Sequence, residues 1–190
     1  MDWTHPYRPN GSEHGFSLVE ILVALFVLGL GVLGAVELQL AAGRTIRQSA
    51  THTAAVHLAT DIAEHLRLNP AGLGGGSYLG ADFRASEDIP AAGQGCHDRN
   101  CMPQELAQQD LAEWKRRFAS EVPGGRLRIC RDAAPWNSAT ASLQWDCSGE
   151  GTAPIMVKIG WPRSRRDGAP QANAGQFPPL VSLMASADGS

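Results

Sequence analysis

Residues 15–36 read GFSLVEILVALFVLGLGVLGAV, and this stretch decides how the rest of the chain is interpreted. From Leu18 to Val36 the only charged residue is Glu20. A run of about 20 apolar residues has the length that an α-helix needs to cross the hydrocarbon core of a bilayer. The sequence therefore predicts one membrane-spanning helix close to the N-terminus.

Glu20 is the residue in this helix that needs a physical explanation. A carboxylate at the centre of a membrane helix costs on the order of 3 kcal/mol by insertion scales, and the cost is smaller near the helix end, where Glu20 lies. A free α-amine at Phe16 would neutralise it, from the same chain or from a neighbour. Such an amine exists only if the chain is cleaved between Gly15 and Phe16.

The hexapeptide G-F-S-L-V-E, Gly15 to Glu20, resembles the type III signal of type IV prepilins and of type II secretion pseudopilins. In that family a membrane-embedded peptidase cuts after the Gly and methylates the new N-terminal Phe, and the Glu registers the subunit in the fibre. The resemblance implies that residues 1–15 are a leader peptide, that Phe16 becomes the methylated N-terminus, and that Glu20 acts in assembly. It also implies a single-pass protein of the inner membrane with a periplasmic head.

A cleavable secretory signal is the alternative interpretation of the apolar run, with a cut near Ala42. Such a cleavage site prefers a small residue at the position that Leu40 would occupy, and a secretory signal has a basic N-terminus, which this chain lacks. Both observations favour the prepilin interpretation.

The first helix is predicted to continue beyond the apolar run. Residues 38–69 contain no Pro and a single Gly, Gly43, and Pro70 then ends the helix. Small and aliphatic side chains recur on one face of this segment, at Ala55, Ala59, Ile62, Ala63 and Leu66. The sequence therefore predicts a membrane-spanning half at residues 16–37 and then a periplasmic amphipathic half whose apolar face must be covered.

Residues 70–190 are predicted to form a globular head that supplies this cover. Its Gly-rich start, residues 71–95, predicts a loop, and residues 103–121 predict a second helix with Leu106, Leu111, Trp114 and Phe118 at helical spacing. Alternating apolar residues predict an antiparallel sheet with one buried face, from strands at 126–131, 142–147, 154–161 and 179–185. The predicted fold class is α+β, with the long helix packed on the small sheet.

The head resembles the minor pilins of the PilV type through DIAEHLRLNPAG (61–72), SYLGADF (77–83) and DLAEWKRRFASEVPGG (110–125). This resemblance covers most of the chain up to Trp161. It implies a low-abundance structural subunit, not an enzyme, that helps to initiate or modify pilus assembly. The implied partners are other minor pilins, the major pilin, the prepilin peptidase and inner-membrane lipid.

The four cysteines, Cys96, Cys101, Cys130 and Cys147, indicate two disulfides in an exported domain. No C-x-x-C pair occurs, which argues against a zinc ribbon and against a thiol redox motif. Guided by the paired cysteines of the family that it resembles, we pair Cys96 with Cys101 and Cys130 with Cys147. The first pair closes a short loop before the second helix, and the second ties the first two predicted strands. The other two pairings stay open at this point.

The composition and the motifs argue against other classes of function. Charged residues make up 18% of the chain and the formal net charge is −3, so no broad basic field is present for nucleic acid. No nucleotide-binding or hydrolase motif occurs, and no catalytic residue, cofactor or metal is predicted. His57, Asp61 and His65 share a helix face, which a solvated stripe explains as well as a metal site. The alternatives left open are a type II secretion minor pseudopilin and an adhesin or binding subunit displayed at a pilus tip.

Overall fold

A computed structural model of the chain describes residues 15, 17–88, 95–96, 99–163 and 177–186. The first and longest element is the helix α1, Leu18–Leu68. The chain divides after Arg47 into two compact units. The first unit contains the apolar part of α1, and the second is the head together with the amphipathic part of α1.

The apolar part of α1 is a helix whose side chains are exposed. The helix begins after Ser17, whose carbonyl accepts hydrogen bonds from the backbone N–H groups of Glu20 (3.0 Å) and Ile21 (3.2 Å). Within the described residues, α1 alone is long and apolar enough to cross a membrane, as judged by length and composition. From Leu18 onward, the segment predicted to span a membrane is therefore helical.

From Gln48 onward, α1 buries one face in the core of the head. The buried residues are Ala55, Leu58, Ala59, Ile62, Ala63 and Leu66. Five of them are the residues predicted from helical spacing, so that prediction is confirmed. At Leu68 the helix ends, and the Asn69 side chain caps the short helix α2, Pro70–Gly74, by accepting a hydrogen bond from the backbone N–H of Gly72 at 3.0 Å.

One further helix, α3 (Pro103–Glu121), has the predicted bounds but a partly different buried face. Trp114 and Phe118 are buried as predicted, whereas Leu106 is 37% exposed and Ala107 lies in the core instead. Asp110 is also buried on this face. Asp110 can lie on the buried face because its carboxylate accepts a hydrogen bond from the Tyr78 hydroxyl inside the head. A pattern of apolar residues does not reveal a buried acidic residue of this kind.

The described residues contain six strands: β1 (Asp82–Arg84), β2 (Arg126–Arg131), β3 (Trp136–Asn137), β4 (Ser142–Leu143), β5 (Ile155–Gly160) and β6 (Val181–Ser186). An antiparallel sheet has the order β1-β2-β5-β6, and β3 and β4 form a separate hairpin. Leu127 and Ile129 of β2 and Ile155, Val157 and Ile159 of β5 are buried in the same core as α1. The predicted α+β architecture is confirmed: a long helix packed on a small antiparallel sheet, with a shorter helix.

Two local predictions were wrong. Residues 142–147 do not add a strand to the sheet, because only Ser142–Leu143 is extended and it pairs with β3. The Gly-rich segment 71–95 is not all loop, because it contains α2 and the edge strand β1. In addition, β5 is buried on both faces, since the chain that follows β2 covers the outer face of the sheet.

Candidate functional site

The residues predicted for processing and assembly lie at the start of α1. Gly15 is exposed and precedes the helix, and Phe16 lies outside the described residues. Glu20 is exposed in the first helical turn. A carboxylate at this position interacts favourably with the positive end of the helix dipole, by about 0.3–1 kcal/mol at an exposed site. The helix start therefore accommodates this acid.

The helix surface beyond Glu20 is apolar and exposed. Leu18, Leu22, Phe26 and Leu33 are each more than half exposed. Exposed apolar surface costs roughly 25 cal/mol per Å² in water, and continuous patches of this kind mark contact with membranes or other proteins. This part of α1 requires lipid or other helices as its surroundings.

In the head, a buried hydrogen-bond network joins the end of α1 to α3. The hydroxyl of Tyr78, which is fully buried, donates to Asp110 Oδ2 at 2.6 Å and accepts from Asn69 Nδ2 at 2.9 Å. The Asn69 amide also donates to the carbonyl of Pro103 at 2.8 Å. His65 Nδ1 lies 3.6 Å from the other carboxylate oxygen of Asp110. The network fixes the point at which α1 ends against the first turns of α3.

Of the predicted stripe of His57, Asp61 and His65, the last two contribute to the same contact between helices. Arg117 Nη1 of α3 donates to Asp61 Oδ2 at 2.6 Å, and the His65 ring meets the Trp114 ring edge-on at 6.0 Å. Within the described residues, no group of three or more His, Cys, Asp or Glu side chains has the arrangement of a metal site. Asp61 and His65 therefore take part in packing and ion pairing between α1 and α3, whereas His57 is exposed.

Raising the pH above about 10 is expected to destabilise the head through Tyr78. Burial, followed by the hydrogen bond to Asp110, raises the pKa of Tyr78 above its ordinary value. A raised folded-state pKa means that the stabilisation is fully present below the unfolded pKa of about 10 and is lost as the pH rises toward the folded pKa. The free energy of unfolding should fall by about 1.4 kcal/mol per pH unit in that window from this group alone.

Urea unfolding of the chain at pH 9 and at pH 11, compared with Tyr78→Phe, measures this effect. All other titrating groups are common to both proteins, so the difference between the two pH slopes isolates Tyr78. Equal slopes would contradict the assignment of a buried, neutral phenol.

The four cysteines form two disulfides. Cys96 pairs with Cys101 ahead of α3, with a Cα–Cα distance of 5.7 Å, and Cys130 pairs with Cys147 at 6.3 Å. Cys130 lies in β2, but Cys147 lies in the loop after β4. The second disulfide therefore attaches a loop to the sheet and does not tie two strands of one sheet.

That loop covers an ion pair that the sequence did not reveal. Lys158 Nζ of β5 lies 2.5 Å from Asp132 Oδ2, and both side chains are buried. In the sequence, Lys158 alternates with apolar residues and has the pattern of a solvent-facing strand position. Its partner lies 26 residues away along the chain, so no local pattern signals the pair.

Comparisons with known proteins bear on both units of the chain. Residues 10–36 match the prokaryotic N-terminal methylation motif, and residues 37–112 match the family described as type IV pilin Tt1218. The first match includes Gly15, Phe16 and Glu20. No curated protein and no solved structure matches the chain significantly. Over these stretches the chain is similar to the type IV pilins, a family of structural subunits, and its long apolar helix and α+β head agree with that similarity.

Proposed function

We propose that the chain is a minor type IV pilin similar to the PilV subunits, one that helps to initiate or modify pilus assembly from the inner membrane. In this proposal, residues 1–15 are a cleaved leader and residues 16–37 cross the membrane. Residues 38–69 continue the helix in the periplasm and residues 70–190 form the periplasmic head. The observation that carries the proposal is Glu20, a single carboxylate in the first turn of a helix that is otherwise apolar and exposed up to Val36.

Cleavage between Gly15 and Phe16 supplies the counter-charge for Glu20. Hydrolysis of that peptide bond leaves an α-amine on Phe16 that is largely protonated at neutral pH, and N-methylation keeps the charge. When the amine of one subunit pairs with the Glu20 carboxylate of a neighbour, the cost of holding either charge in lipid falls. Pairing of this kind occurs only in an assembly, so it drives the helices together in register.

The glycines of α1 support helix packing of this kind. Apart from the local backbone of the helix itself, no atom of the chain lies within 4 Å of the place that a Cβ would occupy at Gly29, Gly31 or Gly34. Small residues of this type let the backbones of neighbouring membrane helices approach closely. In the proposed bundle, these three glycines are the positions at which neighbouring pilin helices approach α1 most closely.

Mass spectrometry of the native N-terminus tests the proposed processing. We expect a chain that begins at Phe16 with the mass of one added methyl group. In Gly15→Val, cleavage should be lost, because a β-branched side chain replaces the Gly that the resemblance places before the scissile bond. Gly11→Val, a matched change within the leader, should be processed normally. A native chain that begins at Met1, or one trimmed beyond Ala42, would contradict the proposal.

Copurification separates pilus assembly from secretion. If the tagged chain is isolated from membranes with pilus subunits, the minor pilin role is supported; if it is isolated with type II secretion components, it is a pseudopilin.

Display as a binding subunit has one observation in its favour, the exposed indole of Trp136 on the β3–β4 hairpin. Loss of surface attachment in Trp136→Ala, with piliation unchanged, would identify that role.

A further inference from the structure

Two cations on adjacent strands of the sheet hold three consecutive carbonyls of the loop that covers it. Arg128 of β2 and Lys158 of β5 are direct partners in the strand register. Lys158 Nζ donates to the carbonyls of Gln144 at 2.8 Å and Asp146 at 2.7 Å. Arg128 Nη1 donates to the intervening carbonyl of Trp145 at 3.0 Å. We call these two cations, with Asp132, the carbonyl clamp.

Asp132 completes the set of acceptors around the lysine. An ammonium group has three N–H donors, and Lys158 uses them on the Asp132 carboxylate and the two loop carbonyls. The Lys158 side chain is 0% exposed and that of Asp132 is 1% exposed. A buried charge whose partners are removed is strongly destabilised, so this arrangement is stable only when the loop is in place.

The carbonyl clamp holds the backbone on both sides of one disulfide. Asp132 follows Cys130 by two residues, and Asp146 immediately precedes Cys147. We propose that Lys158 is a positioning residue for oxidation: it folds the loop before the disulfide forms and brings the thiols of Cys130 and Cys147 together. In the step itself, the two thiols lose two protons and two electrons to a disulfide oxidant, which is reduced to two thiols as the new S–S bond forms.

Chain entropy alone does not select this pairing. The two disulfides close segments with sequence separations of 5 and 17 residues. The entropic cost of closing a loop rises only slowly with its length, so either thiol of the longer pair can also reach Cys96 or Cys101 in an unfolded chain. A folded contact that acts on both ends of the loop provides the missing selectivity.

A second contact places the loop over the same face of the sheet. The Arg126 guanidinium lies 4.6 Å from the centre of the Trp145 ring, and the indole N–H donates to the carbonyl of Phe177 at 2.6 Å. A Cβ on Gly160 would lie 2.9 Å from this ring and 2.7 Å from the Pro178 carbonyl oxygen. The Trp145 ring can therefore pack on the sheet at this point only because residue 160 has no side chain.

Oxidative refolding of the full chain in detergent micelles tests the proposal. The reduced, denatured protein is diluted into a glutathione redox buffer, quenched by alkylation at intervals, and mapped for its disulfides. In Lys158→Met, the pair Cys130–Cys147 should form about tenfold more slowly, the factor that corresponds to one charge-assisted hydrogen bond, and mispaired Cys130 should increase. Cys96–Cys101 should form at the wild-type rate in the same molecules. Lys115→Met, which removes a partly exposed ion pair with Glu87 away from the loop, is the matched control.

A wild-type rate and a wild-type pair distribution in Lys158→Met would overturn the proposal. A second measurement keeps Lys158 and so does not depend on the folding of that variant. In the Cys130→Ser/Cys147→Ser chain, hydrogen exchange reports the amides of Gln144 and Gly149, which donate to Pro135 and Arg131 in the folded loop. Protection within about threefold of the oxidised wild type is expected, because the clamp orders the loop without the disulfide. Exchange at the rate of an unfolded chain would show that the disulfide orders the loop, and would refute the proposal.

Discussion

Replacing Glu20 by Ala is expected to reduce incorporation of the subunit into pili or priming complexes by more than about tenfold, with the head still folded. The variant keeps the apolar surface of α1 but leaves the Phe16 amine of a neighbouring subunit without its carboxylate. An unpaired charge costs on the order of 3 kcal/mol at the membrane centre and less near the helix end, where this pair lies, and a cost of about 1.4 kcal/mol already corresponds to a factor of ten. The measurement is the amount of subunit in sheared pili and in coprecipitated complexes, relative to its amount in membranes.

Glu37→Ala is the matched control for this experiment. Glu37 is the next acidic residue of α1 and follows directly on the apolar run, where the helix leaves the segment proposed to lie in lipid. Its removal should leave incorporation close to that of the wild type. If Glu20→Ala enters complexes at the wild-type level, or if both variants are impaired equally, then Glu20 has no specific role in register.

Trp114→Ala is expected to lower the free energy of unfolding of the head by about 3–5 kcal/mol. The indole is 1% exposed, stacks on the Tyr78 ring with a centroid distance of 5.6 Å and meets the His65 ring edge-on at 6.0 Å. Its removal leaves a large cavity beside a hydrogen-bond network that cannot collapse into the space without losing its partners. Because small domains are stable by only about 5–15 kcal/mol, this loss is a large fraction of the total stability of the head.

Trp136→Ala supplies the contrast within the same chain. Its side chain is 56% exposed, so truncation should change the free energy of unfolding by no more than about 0.5 kcal/mol. Urea unfolding followed by far-ultraviolet circular dichroism measures both variants without depending on indole fluorescence. A loss below about 1 kcal/mol in Trp114→Ala would mean that this ring does not support the junction of α1 and α3.

Much of the fold was predictable because its signals are local. The end of α1 follows from Pro70 and the start of α3 from Pro103, and the buried face of α1 follows from the helical spacing of residues such as Ala59 and Ile62. The strand β2 was predicted with its bounds, and β5 and β6 within one or two residues. Each of these elements is specified by side chains a few positions apart, which a period of 3.6 or 2 detects.

The errors arose where distant parts of the chain meet. Residues 142–147 have a period-two apolar pattern, but tertiary contacts and not a strand account for it. The Trp145 ring packs on the sheet near Gly160, and Cys147 forms a disulfide with Cys130. The edge strand β1 is three residues long and lies within the Gly-rich segment, so it is defined by its ladder to β2 and not by its own composition.

By itself, the sequence determined the apolar helix, the position of Glu20 four residues after Phe16, and the α+β class of the head. These features depend on covalent order and short-range periodicity. Only the tertiary structure decided that Tyr78 is buried against Asp110 and that Lys158 is buried against Asp132. These partners are separated by 32 and 26 residues. Whether a polar side chain is buried depends on a hydrogen-bond partner that folding brings to it, and nothing in the neighbouring sequence specifies that partner.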